Sequence, residues 1–195
     1  MEKKSKVEKK KRTEEIINIP EGVEVEVDKE IKIVGKKGAL KKQKKSKDII
    51  LEKRGQQIVI YSKKGVKKKD KRGGKKIGSI KAHIKNMIKG VTEGHFYKLK
   101  ICASHFPMNV TIENNKLVVK NFLGEKIPRI LKLDKLDKDN TIRIDGNEIL
   151  VEGTDKEAIA QTAADIEQLC KITNRDKRVF QDGIFIIDKD GKEVR

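Results

Sequence analysis

The chain contains few of the residues that build a large hydrophobic core. Its 195 residues include no Trp, two Tyr and five Phe, and only 35% of them are hydrophobic, whereas 40% are charged. Folding a chain of this length buries roughly 70% of the unfolded surface, so the chain is long enough to fold. The scarcity of large apolar residues nevertheless predicts small cores that depend in part on a binding partner.

The chain also lacks a cysteine framework and a long apolar run. Its two cysteines, Cys102 and Cys170, have no C-x-x-C spacing, which argues against a zinc site or a disulfide network and fits a reducing compartment. We predict that both are buried thiols. No apolar run approaches the roughly 18 to 20 residues that a membrane span requires, and no hydrophobic region follows the Lys-rich N-terminus. We therefore expect a soluble, unsecreted protein with no membrane partner.

Groups that would support catalysis are scarce. The histidines are His83, which we predict to be partly exposed on a helix face, and His95 and His105, whose spacing with Cys102 matches no zinc signature. The segment 73–76 (Gly-Gly-Lys-Lys) lacks the upstream glycine and the hydroxyl of a phosphate-binding loop. We predict that the protein is not an enzyme and uses no cofactor, metal or small-molecule substrate.

Positive charge is abundant and concentrated in three short segments. Residues 1–12 carry seven basic and two acidic side chains, residues 36–47 carry seven and none, and residues 63–76 carry nine and one. The chain has a net charge of +18, and the rest of the chain is close to neutral. A near-neutral body with dense cationic segments predicts a polyanionic partner, because cations that neutralise phosphates release condensed counterions. Nucleic acid is the first expectation.

The basic segments divide into a tail and two internal runs. Residues 1–14 are predicted to form a basic, disordered-type tail, in which Lys9–Arg12 has either nuclear-import character or the character of a solvated tail. The internal runs lie between predicted strands, so we expect them on loops whose self-repulsion phosphate would relieve. Their candidate RNA-binding residues are Lys36, Lys37, Lys41, Lys42, Lys44, Lys45, Lys67, Lys68, Lys69, Lys71, Arg72, Lys75 and Lys76.

Aromatic residues do not line any predicted strand as they do in RNA-binding sheets of RRM type. We therefore predict recognition of the backbone and shape of folded RNA rather than of a single-stranded sequence. A membrane surface is another polyanion, but the chain lacks the basic amphipathic helix with aromatic anchors that would bind one.

The same order of predicted elements occurs twice along the chain. Alternating apolar residues predict strands, and apolar residues at helical spacing predict one amphipathic helix in each half. The matched positions are Pro20, Val23 and Val25 with Pro107, Val110 and Ile112; Ile31, Ile33 and Gly38 with Leu117, Val119 and Gly124; and Ile80, Ile84, Met87 and Val91 with Ile159, Ala163, Ile166 and Cys170.

This repetition predicts an α+β fold of two tandem duplicated domains, each a small, mostly antiparallel sheet with one helix packed on one face. The first domain is predicted over residues 15–100 and the second over residues 101–195. The first helix is expected from Ile77 until it stops near Gly90 and Gly94. Thr154 and Glu157 predict a capping box at the start of the second helix.

Three segments resemble one known family. The run from Gln168 to Ile184 is similar to the C-terminal signature of the large-subunit ribosomal protein six family, in its eukaryotic form, where the protein is called protein nine. The segments Asn121–Lys126 and His105–Val110 resemble mid-chain motifs of the same family. The similarity runs in order from about residue 16 to residue 188.

The resemblance implies a structural constituent of the large ribosomal subunit with two duplicated α+β domains. It implies that the second domain contacts large-subunit rRNA near the sarcin-ricin loop, beside the docking site of translational GTPases. Carried over to this sequence, the implied rRNA contacts are Arg175, Lys177 and Arg178. Phe185 stands where the family usually has Tyr. Asp182 and Gly183 are implied to form the turn that positions this segment, and Gly38 and Gly124, matched in the repeat, are also predicted to be turn or positioning residues.

The implied partners are large-subunit rRNA, neighbouring large-subunit proteins and, transiently, translational GTPases. The implied location is the cytoplasmic ribosome, with transit through the nucleus and nucleolus if the cell is eukaryotic. The alternative is a free RNA-binding regulator or a ribosome assembly chaperone that uses the same fold.

Overall fold

The strands and helices form where apolar residues alternate or recur at helical spacing. A computed structural model describes them over residues 14–28, 30–43, 49–62, 71–133, 140–176 and 178–194. Nearly all of the predicted tail lies outside the described residues, as do the candidate RNA-binding residues Lys44, Lys45, Lys67, Lys68, Lys69 and Lys177. The chain divides into two compact units, with the first ending at Val91 and the second beginning at Thr92.

The first unit contains two antiparallel sheets and one helix among its described residues. Strand β6 lies between β1 and β5 in one sheet, and β3 lies between β2 and β4 in the other. Ile33, Ile58 and Ile84 are fully buried in the core that the strands share with the helix. The elements are β1 (Glu14–Asn18), β2 (Glu24–Val27), β3 (Glu30–Gly35), β4 (Gly38–Gln43), β5 (Ile49–Arg54), β6 (Gln57–Ser62) and α1 (Lys71–Thr92).

The second unit repeats this arrangement and extends it. The elements are β7 (His95–Cys102), β8 (Asn109–Glu113), β9 (Lys116–Lys120), a 3-10 turn (Phe122–Gly124), β10 (Arg129–Lys132), β11 (Thr141–Asp145), β12 (Glu148–Gly153), α2 (Lys156–Leu169), β13 (Gly183–Lys189) and β14 (Lys192–Glu193). One sheet has the order β10-β9-β8 and the other the order β11-β12-β7-β13-β14. Helix α2 packs on the five-stranded sheet through Ile159, Ala163 and Ile166.

The correspondence between the units confirms the predicted α+β fold with tandem duplication. The sheet β1-β6-β5 corresponds to β7-β12-β11, and β2-β3-β4 corresponds to β8-β9-β10. Within the described residues each unit has two sheets where the sequence predicted one, because alternation shows which face of a strand is buried but not which strands pair. The matched helix positions all belong to the two cores: Ile80, Ile84, Met87 and Val91 in α1, and Ile159, Ala163, Ile166 and Cys170 at α2.

The ends of the helices differ from the prediction at several residues. Helix α1 begins at Lys71 rather than at Ile77, and it continues through Gly90 before ending ahead of Gly94, which has a φ of +84°. The predicted capping box is wrong by one residue. Asp155 is the N-cap of α2, and its carboxylate accepts a hydrogen bond of 2.9 Å from the backbone N–H of Glu157.

The division between the units also differs from the predicted boundary at residues 100 and 101, which falls inside β7. Strand β7 pairs with both β12 and β13, so its backbone hydrogen bonds place the whole strand in the second unit. Its Tyr97 and Leu99 are buried in the second core.

Candidate nucleic-acid interface

The turn between β3 and β4 presents Lys36 and Lys37, which are both exposed. The backbone N–H of Lys37 donates to the carbonyl oxygen of Val91, near the end of α1, at 3.0 Å. A Cβ at Gly35 would lie 2.7 Å from both Cγ2 and the carbonyl oxygen of Val91, so the absence of a side chain there permits this close approach. Gly38 follows the turn and pairs with Gly35 as the first residue of β4. We call residues 35–38 the basic hairpin turn.

The prediction that Lys41 and Lys42 lie on a loop is wrong, because both belong to strand β4. Lys41 is exposed and Lys42 is partly buried, and their backbones pair with Lys32 and Ile31 of β3. The Nζ of Lys42 lies 3.3 Å from Nδ1 of His83. Main-chain pairing with β3 forms this strand although its residues do not alternate between apolar and polar.

The second basic run was also predicted to be a loop, but from Lys71 onward it is the first part of α1. The segment Lys71–Lys76 includes Gly73 and Gly74, which each disfavour a helix by about 1 kcal/mol. The burial of the apolar face that begins at Ile77 offsets this cost. No acidic residue occupies the first turn, so cations meet the positive end of the helix dipole, where an anion is favoured instead.

In the second unit, residues 171–182 form what we call the signature loop, which joins α2 to β13. Asp176 shapes the described part of this loop, since its Oδ1 accepts from the backbone N–H of Arg178 at 2.9 Å. Its carbonyl oxygen accepts from the backbone N–H groups of Val179 at 3.2 Å and Phe180 at 3.0 Å. Arg175 and Arg178 are exposed on this loop.

Asp182 anchors the end of the signature loop to the segment that follows β7. Its side chain is 4% exposed, and its carboxylate accepts hydrogen bonds from the backbone N–H groups of Ser104 and His105. Its Oδ2 lies 2.6 Å from Nδ1 of His105. Burial alone raises the pKa of this carboxyl, but its bonds with His105 and Ser104 outweigh burial and lower the pKa below its ordinary range. Gly183 follows as the first residue of β13, paired with Cys102.

Phe180 lies at the centre of a stack that the sequence did not predict. The rings of His105 and Phe180 are stacked with centroids 4.9 Å apart and planes inclined by 29°. The guanidinium carbon of Arg175 lies 4.9 Å from the Phe180 centroid, within the range of a cation–π interaction. The predicted contact Arg175 is therefore held by the ring, while no residue in the described ranges pairs with the side chain of Arg178.

A second arginine, Arg129, supports the end of α2, and the sequence patterns did not identify it. Its guanidinium donates to both carboxylate oxygens of Glu125, at 2.8 and 2.6 Å, and to the carbonyl oxygen of Leu169 at 2.7 Å. It also lies 4.2 Å from the Phe122 centroid. The hydrogen bond from Arg129 lowers the pKa of Glu125. Fixing the C-terminus of α2 fixes the point from which the signature loop departs.

The 3-10 turn and its neighbours have their own contacts. Gly124 has a φ of +79°, and a Cβ there would lie 3.7 Å from the ring of Phe106. Asn121 donates from Nδ2 to the carbonyl oxygen of Pro107 at 2.9 Å. The two segments that resembled family motifs in mid-chain therefore lie against each other.

An open cleft of about 560 Å³ lies beside the signature loop, between α2 and β13. Its apolar walls include Ile172, Phe180 and Phe185. Cys170 is buried, and burial raises the pKa of its thiol to about 11, whereas Cys102 is partly exposed. The lining residues are Cys102, Glu167, Gln168, Cys170, Lys171, Ile172, Phe180, Gln181, Asp182 and Phe185.

Neither a metal-binding cluster nor a membrane-spanning helix is found in the ranges that the structure describes. His95 and His105, the two histidines whose positions in the sequence could have allowed a shared metal, each contact a different aspartate. His95 is buried with Nδ1 at 2.7 Å from Oδ2 of Asp190, whereas His105 contacts Asp182.

Comparisons with known proteins agree with the duplicated architecture. The profile of the family described as Ribosomal protein L6 matches residues 19–94 and, a second time, residues 106–183. The chain is 43% identical over 180 residues to large ribosomal subunit protein uL6 of Methanococcus vannielii, covering 91% of this chain and 94% of that protein. It is 42% identical over 176 residues to the uL6 protein of Ignicoccus hospitalis, with coverage of 88% and 91%.

A third relative, the uL6 protein of Staphylothermus marinus, is 43% identical over 178 residues, covering 89% of this chain and 93% of that protein. The two profile matches fall on the two halves of the duplicated fold. The resemblance noted in the sequence is confirmed, and the chain belongs to the ribosomal protein L6 family.

Proposed function

We propose that this protein is a structural constituent of the large ribosomal subunit that binds large-subunit rRNA and catalyses no reaction. The observation that carries the proposal is the signature loop, where buried Asp182 anchors a segment that exposes Arg175 and Arg178. Relatives named as large ribosomal subunit proteins match about nine-tenths of the chain, which supports the same assembly for this protein.

The two units contribute different parts of the proposed interface. The basic hairpin turn, Lys41 and the exposed Lys75 and Lys76 of α1 supply cations to phosphates without reading a sequence. The signature loop has fewer cations, but its backbone is held by Asp176 and Asp182. Cations on a backbone held by such hydrogen bonds keep defined positions, so we expect them to discriminate one RNA shape from another.

We place the second unit at rRNA near the sarcin-ricin loop, beside the docking site of translational GTPases. The family motifs support this placement, because the signature loop is the segment that the resemblance assigned to that rRNA. Neighbouring large-subunit proteins are the other expected partners, and the cytoplasmic ribosome is the expected location. Transit through the nucleus and nucleolus applies only in a cell that has a nucleus.

Cosedimentation tests the assembly. The tagged protein should migrate with the large subunit in a sucrose gradient at physiological salt, and RNA cross-links from the signature loop should map near the sarcin-ricin loop. If the protein stays in light fractions, or is found only on immature subunits, the structural role fails and the regulator or chaperone takes its place.

Arg178→Ala tests the role of the signature loop. We expect it to weaken binding to large-subunit rRNA by roughly 5- to 150-fold and binding to a random RNA of equal length much less. Lys192→Ala, an exposed cation on β14, is the matched control. An equal loss on both RNAs would show that Arg178 is a phosphate contact without a role in placement.

A further inference from the structure

We propose that the cleft beside the signature loop receives one unstacked nucleobase of the bound RNA. This inference rests on the proposed RNA-binding function and specifies which part of the RNA enters the protein. The cleft lies within the second unit, and its volume of about 560 Å³ leaves room for a planar ring and the atoms around it.

Phe185 gives the cleft an accessible aromatic surface. Its side chain projects from β13 and is 44% exposed, although it is a large apolar residue. A Cβ at Gly183 would lie 3.0 Å from Cζ of Phe185. Glycine at this position therefore leaves space for the ring, whereas any other residue would push the ring aside. Together with Phe180 and Ile172 this ring forms walls on which a base can stack.

The cleft is lined by charged residues of both signs. Glu167, Asp182 and Lys171 all line the cleft, and the two carboxylates disfavour a phosphate group beside them. Glu167 also accepts a hydrogen bond from the backbone N–H of Ile186 at 3.3 Å. Lys171 is exposed at the cleft, and Arg175 lies over the ring of Phe180, which is another lining residue. A neutral base suits the positions beside the carboxylates, and the exposed Lys171 and Arg175 are available to the flanking phosphates of the RNA.

Amide side chains at the cleft match the edges of a base. Gln168 and Gln181 are exposed and line the cleft. Gln181 donates from Nε2 to the carbonyl oxygen of Arg178 at 3.4 Å, and the Gln168 side chain has no partner in the ranges that the structure describes. A carboxamide offers donors and acceptors that pair with the Watson–Crick or Hoogsteen edge of an unstacked base.

The principal test compares Phe185→Ala with Phe96→Ala. Phe96 lies on β7, is 38% exposed and does not line the cleft, so it is a control of the same residue type and similar exposure. Affinity is measured for the full-length chain and a large-subunit rRNA transcript. We expect Phe185→Ala to weaken binding by roughly 5- to 150-fold, the range for one stacked base, and Phe96→Ala to change it less than about twofold.

Phe185→Leu separates stacking from plain apolar contact. It keeps an apolar side chain but removes the planar ring, so we expect a loss close to that of Phe185→Ala. Near-complete retention of affinity by the leucine variant would mean that an apolar group rather than a base occupies the cleft, and would overturn the proposal.

Removing the base itself gives a second arm. In the smallest rRNA fragment that retains binding, each unpaired position is replaced in turn by an abasic nucleotide. One position should weaken binding to the natural chain by roughly 5- to 150-fold and have almost no further effect on Phe185→Ala. Additive losses at every position would overturn the proposal.

Cys102 reports on the occupant directly, because it lines the cleft and is partly exposed. RNA binding should slow the alkylation of Cys102 by iodoacetamide in the natural chain. If Cys102 is protected from alkylation in the assembled subunit but not by rRNA alone, a neighbouring protein occupies the cleft. That result would overturn the proposal. Failure of the proposed function is a distinct result, because the natural chain would then bind no large-subunit rRNA at all.

Discussion

The backbone N–H of Lys37 donates to the carbonyl oxygen of Val91 at 3.0 Å, which joins the basic hairpin turn to the end of α1. The carbonyls in the last turn of a helix have no partner within it, so the turn both supplies that partner and takes its own position from the helix. Gly35 permits the contact because it has no Cβ.

Gly35→Ala is therefore expected to destabilise the first unit. Its Cβ would lie 2.7 Å from two atoms of Val91, and relief of this overlap must displace either the turn or the helix end. We expect a loss of about 1–3 kcal/mol in the free energy of unfolding, measured by urea denaturation of the full chain. Gly78→Ala is the control, because Gly78 is helical and a Cβ there meets nothing within 4 Å. It should raise stability by about 0.5–1 kcal/mol, and equal behaviour of the two variants would contradict the packing argument.

Asp182→Asn should reduce stability in a pH-dependent way. The folded protein lowers the pKa of this carboxyl, so its contribution is present above the ordinary carboxyl pKa and is lost as the pH falls through the lower folded value. We expect the variant to be about 1–3 kcal/mol less stable at pH 7, with the difference shrinking below roughly pH 4. Guanidinium denaturation across this range measures it. Asp145→Asn, at an exposed position of β11, should cost less than about 0.5 kcal/mol. A difference that stays constant down to low pH would show that the charge of Asp182 is not stabilising.

Arg129→Lys should loosen the end of α2 although it keeps the positive charge. Lysine cannot donate to both oxygens of Glu125 and also reach the Leu169 carbonyl as the planar guanidinium does. The pair with Glu125 is partly exposed and contributes little, so most of the expected loss of about 1–2 kcal/mol comes from the bond to Leu169. Hydrogen exchange at the last turn of α2 should accelerate. The control is Arg143→Lys at an exposed position of β11. It should leave hydrogen exchange at the last turn of α2 unchanged.

The salt dependence of RNA binding should fall when the basic hairpin turn and Lys41 of β4 are neutralised. Replacing Lys36, Lys37 and Lys41 by Gln removes three cations from β3–β4. The slope of log affinity against log salt should fall by about 0.7–0.9 for each phosphate that these lysines neutralise in the natural chain. Filter binding between 50 and 200 mM salt measures the slope. Over this range affinity changes by about 10³- to 10⁵-fold for 6 to 10 neutralised phosphates. The comparison is a variant in which exposed lysines of the second unit, Lys116, Lys189 and Lys192, become Gln. An equal change of slope in both variants would contradict a special role for the turn and Lys41.

Periodicity predicted the two cores because each strand and helix follows its local pattern. Ile31 and Ile33 alternate on β3, and Ile159 and Ile166 recur on the inner face of α2. The start of α1 was missed because Gly73 and Gly74 signal a break, whereas packing of the later apolar face extends the helix back to Lys71. Lys41 lies on a strand for a similar reason, since pairing with β3 is not visible in its own segment.

The anchors of the candidate interface could not be predicted from local patterns. His105 and Asp182 are far apart in the sequence, and Lys37 and Val91 belong to a turn and a helix that meet only in the folded chain. Arg129 looks like an ordinary surface cation until its bond to the Leu169 carbonyl is seen. The family signature identified the loop that carries Arg175 and Arg178, but the contacts that hold that loop required the structure.

The matched core positions Ile84 and Ala163 show how far the two copies have diverged. Both side chains are fully buried on the inner face of their helices, yet one is large and branched and the other is a single methyl group. At this position the first core therefore holds a larger side chain than the second. Exchanging these two side chains would overfill the second core and leave a void in the first, so the duplicated units are no longer equivalent at this position.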